Sequence, residues 1–171
     1  MEGIPRTSRT PDSEAPAAGT SVRGFSRYSV ACIGAGGHIE VSRLLFTHGA
    51  DINARCADDL TPLHIALREG HLGIGKWLLN HGADTKCQTM RGATPLHFAV
   101  DNGHLEVCRM LLEHDADVNF LQNGDGSTPL LLALESGHLS VAQLLLDHDA
   151  DVHARNVARR DAVYEFCEVR V

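Results

Sequence analysis

A single period of about 33 residues organises most of this chain. The tetrapeptide Thr-Pro-Leu-His begins at Thr61 and again at Thr94, and Thr-Pro-Leu-Leu begins at Thr128. Two other sequence landmarks recur with the same period. Glycine–histidine pairs begin at Gly37, Gly70, Gly103 and Gly137, and Gly/Asp-Ala-Asp triplets begin at Gly49, Gly82, Asp115 and Asp149. Three landmarks on one period predict a stack of small units that bury their apolar faces against each other.

Each landmark suits one point of a helix pair. A threonine followed by proline favours a helix start, because its hydroxyl can cap free amides and proline fits the first helical position. The glycine of each glycine–histidine pair can adopt the left-handed conformation that ends a helix. Apolar residues then recur at helical spacing, as in Leu105, Val107, Leu111 and Leu112. The unit is therefore predicted to be helix, tight turn, helix and loop.

The period and the signature T-P-L-H-x-A, present at residues 61–66 and 94–99, resemble those of the ankyrin repeat family. The resemblance implies an all-α fold, an ankyrin-repeat α-solenoid of stacked helix-turn-helix units with projecting hairpin-like loops. It predicts a repeat domain over 28–156, with a partial repeat at 28–60 and full repeats at 61–93, 94–127 and 128–156. Residues 1–27 are predicted to be a disordered N-terminal segment, and 157–171 a non-repeat tail.

Several positions depart from the pattern. The first unit lacks the helix-start signature, so only its second half, Ile39 to Asp51, is expected to form a firm helix. Gly73 and Gly75 fall inside a predicted helix, and each should cost about 0.5–1 kcal/mol relative to alanine.

Three further residues carry expectations about packing and turns. Asp115 and Asp149 replace the glycine of the second helix stop, a left-handed position that aspartate tolerates better than most residues. Trp77, which is in register with Met110 and Leu144, is predicted to pack in the core.

The segment from Val157 to Val171 is not a further repeat. It could form a short element that covers the apolar side of Leu132, Val141 and Leu145. Alternatively, the chain is a fragment or an end variant of a longer array, since terminal repeats normally carry a polar outer face.

The composition limits the kinds of partner and the cellular location expected for the protein. Residues 28–156 hold 16 acidic and 8 basic side chains, and such a domain would repel phosphate backbones, so nucleic acid is not an expected partner. No apolar run reaches the ~20 residues of a membrane helix, and residues 1–20 lack the apolar core of a secretory signal. The five cysteines are scattered, which favours reduced thiols and a cytoplasmic or nuclear protein that is not secreted.

No pattern of catalytic, cofactor or metal residues is present. The repeat accounts for ten of the 11 histidines, which sit at turns and helix starts rather than in a set of convergent metal ligands. A glycine cluster at Ile33–Gly37 lacks the last glycine and the β-α-β context of a dinucleotide loop. No nucleophile motif is found. We therefore predict no enzyme activity, no cofactor and no metal.

By resemblance to ankyrin repeat proteins, partners bind at the concave ends of the first helices and at the loop tips. The candidate residues at the helix ends are Arg68, Glu69, Asp101, Asn102 and Glu135. The candidates on the loops are Arg55, Asp58, Gln88, Met90, Arg91, Phe120 and Leu121. Large apolar side chains exposed on loops favour contact with another molecule, so Met90, Phe120 and Leu121 are expected to matter most.

The resemblance also suggests a modification. Loop asparagines of some ankyrin proteins are hydroxylated by an oxygen-sensing dioxygenase, and Asn53 and Asn119 match that register. Lys86 and His153 occupy the same register in the other units.

The sequence thus predicts a monomeric, non-catalytic protein-interaction module, a scaffold or adaptor, that binds a protein with a basic or mixed-charge surface through its concave face and loop tips. The alternative is that the chain is a fragment of a larger multidomain signalling or enzymatic protein whose activity lies outside these residues.

Overall fold

The computed structural model describes residues 39–124 and 126–157. Within these ranges the chain forms seven α-helices and no strand, and one 3-10 turn, Ala57–Asp59, lies in the first loop. The helices are α1 (Ile39–Thr47), α2 (Pro62–Arg68), α3 (Leu72–Asn80), α4 (Pro95–Asp101), α5 (Leu105–Glu113), α6 (Pro129–Glu135) and α7 (Leu139–Asp147). None of the described helices has the length and apolarity to span a bilayer. The predicted all-α repeat of helix pairs is confirmed.

The helices pair and stack as the repeat requires. α2 packs on α3, α4 on α5 and α6 on α7, while first helices pack on neighbouring first helices and second helices on second helices. One apolar core runs through all the units. Its most deeply buried large side chains include Leu63, Leu67, Leu78, Leu96, Val100, Leu111, Leu130, Val141 and Leu145.

Threonine and proline start each first helix as predicted. Thr61 and Thr94 each form a capping box, in which the threonine backbone N–H donates to Nδ1 of the histidine three residues later, at 3.2 Å in both units. The third unit has Leu131 at this position, and only the backbone half remains: Leu131 N donates to Thr128 Oγ1 at 3.3 Å.

The glycine–histidine turn joins one unit to the next. Gly70 is left-handed, with φ +72°, and a Cβ placed on it would lie 2.8 Å from both Cε1 and Nε2 of His104. Gly103 stands in the same relation to His138, again at 2.8 Å. His104 and His138 therefore each pack on the glycine of the preceding unit, which explains why glycine and histidine repeat together at these turns.

Both aspartates at the second helix stops are left-handed, with φ 60° at Asp115 and 63° at Asp149. This confirms the expectation that aspartate replaces glycine there. α1 confirms one helix in the second half of the first unit. The doubtful first half of that unit, the N-terminal segment 1–27 and most of the tail predicted over 157–171 lie outside the described residues.

Trp77 packs against the core without being enclosed by it. Its ring meets the Phe46 ring edge-on at 5.5 Å and stacks on His81 at 4.3 Å. The core prediction for Trp77 thus holds for one side of the ring, and the rest of the ring belongs to an aromatic cluster between the C-terminal ends of α1 and α3.

The two glycines inside α3 differ, which corrects the equal cost expected from sequence. Gly73 is exposed, with no atom within 4 Å of the position that a Cβ would take, whereas a Cβ on Gly75 would lie 2.9 Å from Cδ2 of the buried Leu67. The residues in register with Gly75 are small: Ser42, Cys108 and Ala142. Gly75 is therefore a close-packing position.

We expect Gly73→Ala to raise the free energy of unfolding by about 0.5–1 kcal/mol, because alanine restricts the unfolded chain and favours the helix. Gly75→Ala should raise the free energy of unfolding by a smaller amount or lower it, since Leu67 must move to admit the methyl group. Urea unfolding followed by circular dichroism compares the two variants. Equal gains at both positions would contradict the close packing of Gly75.

Candidate partner-binding surface

Three projecting loops carry most of the predicted partner residues. We call them loop 1 (residues 52–60), loop 2 (residues 85–93) and loop 3 (residues 118–127). Each is closed by a backbone hydrogen bond: Cys56 N to Leu60 O at 2.9 Å, Thr89 N to Ala93 O at 3.0 Å, and Gln122 N to Ser127 O at 3.0 Å. The loops are therefore hairpin-like, as the resemblance implied.

Loops 1 and 2 are also tied to each other. Met90 N donates to Asp58 O at 3.0 Å, and the Arg55 guanidinium donates to Gln88 O at 3.3 Å. These bonds bring together four predicted partner residues that are up to 35 positions apart in sequence. The two loop tips form one surface.

That surface carries two adjacent acidic residues in an unusual backbone conformation. Asp58 and Asp59 are both left-handed, with φ 60° and 59°, as in the tight turns that favour asparagine or glycine. Arg55 lies 3.8 Å from the Asp59 carboxylate, with both side chains about half exposed. Such a pair contributes little to stability, so its charges stay accessible to a partner.

The apolar loop tips are only partly as predicted. Met90 is 71% exposed and Leu121 is 53% exposed. Phe120 is half-buried instead, with its ring edge-on to the His97 ring at 6.4 Å. The expectation of an exposed Phe120 is therefore wrong, because loop 3 folds this ring back towards α4.

The predicted residues at the ends of the first helices are all exposed. Arg68 Nε pairs with Glu69 Oε1 at 3.0 Å, so these two charges largely offset each other. Asn102 Nδ2 donates back to Phe98 O at 2.9 Å. Ser136 Oγ lies 3.5 Å from Asp101 Oδ1, which places the ends of α4 and α6, including Glu135, side by side.

A cleft of about 330 Å³ lies between loops 2 and 3 and the first helices. Two predicted residues, Arg91 and Asp101, line it together. Six other lining residues were not among the candidates named from sequence: Thr89, Ala93, His97, Phe98, Gln122 and Leu132. The repeat could have pointed to Phe98 and Leu132, since both occupy the position in their first helices that Ile65 occupies in α2.

The two loop asparagines bridge neighbouring units. Asn53 Nδ2 donates to Gly82 O at 3.4 Å, while Asn53 Oδ1 accepts from Asp84 N at 2.9 Å. Asn119 repeats this two units further on, with Asp149 O at 3.2 Å and Asp151 N at 2.8 Å. Each carboxamide therefore uses both its donor and its acceptor to fasten one loop to the next.

Hydroxylation of Asn53 and Asn119 stays a prediction. Both side chains are held at their ends, so an enzyme would have to open the loop to take the asparagine into an active site. Intact mass of the protein from its native cells tests the idea, and an unshifted mass would remove it.

Burial favours the neutral forms of His64, Cys87 and Cys108. Burial lowers the pKa of His64 to about 4. Burial likewise raises the pKa of the Cys87 thiol, against a hydrogen bond from Thr61 that lowers it, and raises that of Cys108 to about 12. Cys87 Sγ lies 3.8 Å from His64 Nδ1, yet a protonated thiol beside a neutral imidazole is a poor nucleophile. Within residues 39–124 and 126–157, no three His, Cys, Asp or Glu side chains are grouped to hold a metal ion.

Comparison with known families agrees with this architecture. A family model described as "Ankyrin repeats (3 copies)" matches residues 28–89 and 76–156, about three quarters of the chain. No curated protein matches the chain at a significant level. Proteins with such repeats generally use them to bind other proteins.

Proposed function

Because the chain belongs to the ankyrin repeat family, we propose that it is a non-catalytic adaptor that binds a partner protein through loops 1–3 and the cleft beside α4. The observation that carries the proposal is the cleft, which Arg91 and Asp101 line together with the apolar side chains of Phe98 and Leu132. Protein interfaces commonly combine apolar pockets that take an anchoring side chain with polar and charged residues around them.

The charges of this surface define the partner. Arg68 and Glu69 form one ion pair, and Arg55 and Asp59 form another. Asp58, Asp101 and Glu135 are also exposed and acidic, and Arg91 is exposed and basic. A partner with a mixed, mainly basic surface complements this pattern, and nucleic acid does not.

The decisive experiment compares partner capture by variants of the loop surface. Met90→Ser and Leu121→Ser remove exposed apolar side chains without touching the core, and Asp101→Lys reverses the charge at the cleft. Each should weaken partner binding in affinity purification with quantitative mass spectrometry. Phe120 is a poorer choice, because its contact with His97 makes the substitution destabilising.

Leu139→Ser is the matched control. Leu139 is 63% exposed and starts α7, a second helix, away from the loops. It should leave partner capture unchanged. A partner profile that is the same for Met90→Ser, Leu121→Ser, Asp101→Lys and the wild type would overturn the loop surface as the binding site.

We also propose a monomer in the cytoplasm or nucleus. Three cysteines of the described chain, Cys56, Cys87 and Cys108, are free thiols, which agrees with a reducing compartment. Light scattering of the purified chain and imaging of a tagged copy in cells test these two statements separately.

A further inference from the structure

The three junctions between successive units differ in one polar contact. Asn53 closes the first junction and Asn119 closes the third, each with one hydrogen bond to a carbonyl and one from a backbone N–H. At the second junction the residue in this register is Lys86. Its side chain makes no hydrogen bond to any described residue.

The backbone groups that an asparagine would meet are still present at the second junction. By register they are the carbonyl of Asp115 and the N–H of Asp117. Neither has a hydrogen-bond partner in the described part of the chain. The local sequence Asp115-Ala116-Asp117 is the same as Asp149-Ala150-Asp151 at the filled third junction. The second junction therefore keeps the donor and acceptor of a carboxamide slot without a carboxamide.

The backbone has the same conformation at the second junction as at the filled third junction. Asp115 has φ 60° and Asp149 has φ 63°, so the two stops present their carbonyls alike. Beside the slot, the Thr85 hydroxyl donates to His114 O at 3.2 Å and holds loop 2 against the end of α5. This second contact keeps the junction assembled although Lys86 does not bridge it.

A cavity of about 540 Å³ opens at this slot. Thr85, Lys86, Asp115 and Asp117 line it together with the apolar side chains of Leu112, Ala116, Val118 and Phe120. Its volume falls in the range of pockets that hold small ligands or single side chains. Lys86, Asp115 and Asp117 are all exposed, so the slot is reachable from outside.

We propose that the second junction is a binding site for a primary carboxamide, supplied by an asparagine or glutamine side chain of a partner protein. The proposal rests on the proposed function, because the carboxamide comes from a bound protein. The incoming group takes the place that Asn53 and Asn119 hold at the other junctions: its N–H₂ donates to Asp115 O and its oxygen accepts from Asp117 N.

The pair of backbone groups selects this chemistry. A carboxylate of the same shape can accept from Asp117 N but cannot donate to Asp115 O, and the carboxylates of Asp115 and Asp117 repel it. An apolar side chain leaves both backbone groups unpaired when it displaces their water, which costs about 1–3 kcal/mol per group. Only a group with one donor and one acceptor satisfies both.

The test titrates small probes into the isotope-labelled full chain and follows the backbone amide of Asp117 by NMR. The probes are N-acetyl-asparagine methylamide and its near-isosteres N-acetyl-aspartate methylamide and N-acetyl-leucine methylamide. We expect a saturable shift of the Asp117 amide with the asparagine probe alone. No saturable shift with that probe, or equal shifts with all three, would overturn the proposal.

Lys86→Asn provides the second arm, because it places the chain's own carboxamide in the slot. It should abolish the probe-induced shift and raise the unfolding midpoint, whereas Lys86→Ala should keep the shift. A persistent shift in Lys86→Asn would show that the probe binds elsewhere and would overturn the site. The probes contain no partner surface, so their failure leaves the loop-surface experiment with Met90 and Leu121 unaffected.

Discussion

Replacing Gly70 by alanine should lower the free energy of unfolding by about 2–4 kcal/mol, whereas the same change at Gly137 should cost about 1–2 kcal/mol. Both glycines have φ +72°, so both variants suffer the strain of a left-handed alanine. Only at Gly70 does the new methyl group also meet the His104 ring, at 2.8 Å, while nothing lies within 4 Å at Gly137. The difference between the variants measures the contact between units.

Urea unfolding, followed both by circular dichroism and by the fluorescence of Trp77, measures these losses. The chain has one tryptophan, and it lies in α3, next to the altered turn. Adding His104→Ala to Gly70→Ala should recover part of the loss, because the smaller side chain admits the methyl group. Equal losses at Gly70 and Gly137 would contradict the packing of His104 on the glycine.

This turn shows what the sequence could and could not predict. The left-handed stop at Gly70 was predictable, because a helix end followed by a second helix pattern demands one. The pairing of Gly70 with His104, 34 positions later, was not, since the period alone does not say which side chains meet across a junction. The same limit applies to Phe120. Its place in a loop predicted exposure, but the path of loop 3 turns the ring onto His97.

The candidate binding surface also has features that the sequence predicted and features that it could not predict. The register located the first-helix ends and the loops, so Arg91 and Asp101 were predicted and lie in one cleft. The carboxamide slot beside Lys86 could not be predicted from the sequence, because the sequence shows only that lysine replaces asparagine there. Which backbone groups that asparagine would meet becomes visible in the filled junctions of Asn53 and Asn119.

Acidification should destabilise the protein through His64 by on the order of 3 kcal/mol between about pH 6.5 and pH 4. Burial lowers the pKa of this imidazole from 6.5 to about 4, because its side chain is fully enclosed. In that window the unfolded chain binds a proton that the folded chain does not, so stability falls as pH falls. Above about pH 6.5 both states hold His64 neutral, and the penalty is absent.

His64→Leu isolates this contribution from the exposed histidines and the carboxylates. Leucine fits, because Leu131 fills the same register of the third unit at 1% exposure. The variant loses the acceptor for Thr61 N and should be less stable at pH 7.5 by about 1 kcal/mol. Urea unfolding at a series of pH values should show its disadvantage shrinking and then reversing near about pH 6, where the loss of stability through His64 reaches about 1 kcal/mol in the wild type, since leucine needs no proton. A stability difference that stays constant from pH 7.5 to pH 4 would mean that folding does not change the pKa of His64, and it would contradict the lowered pKa of the buried imidazole.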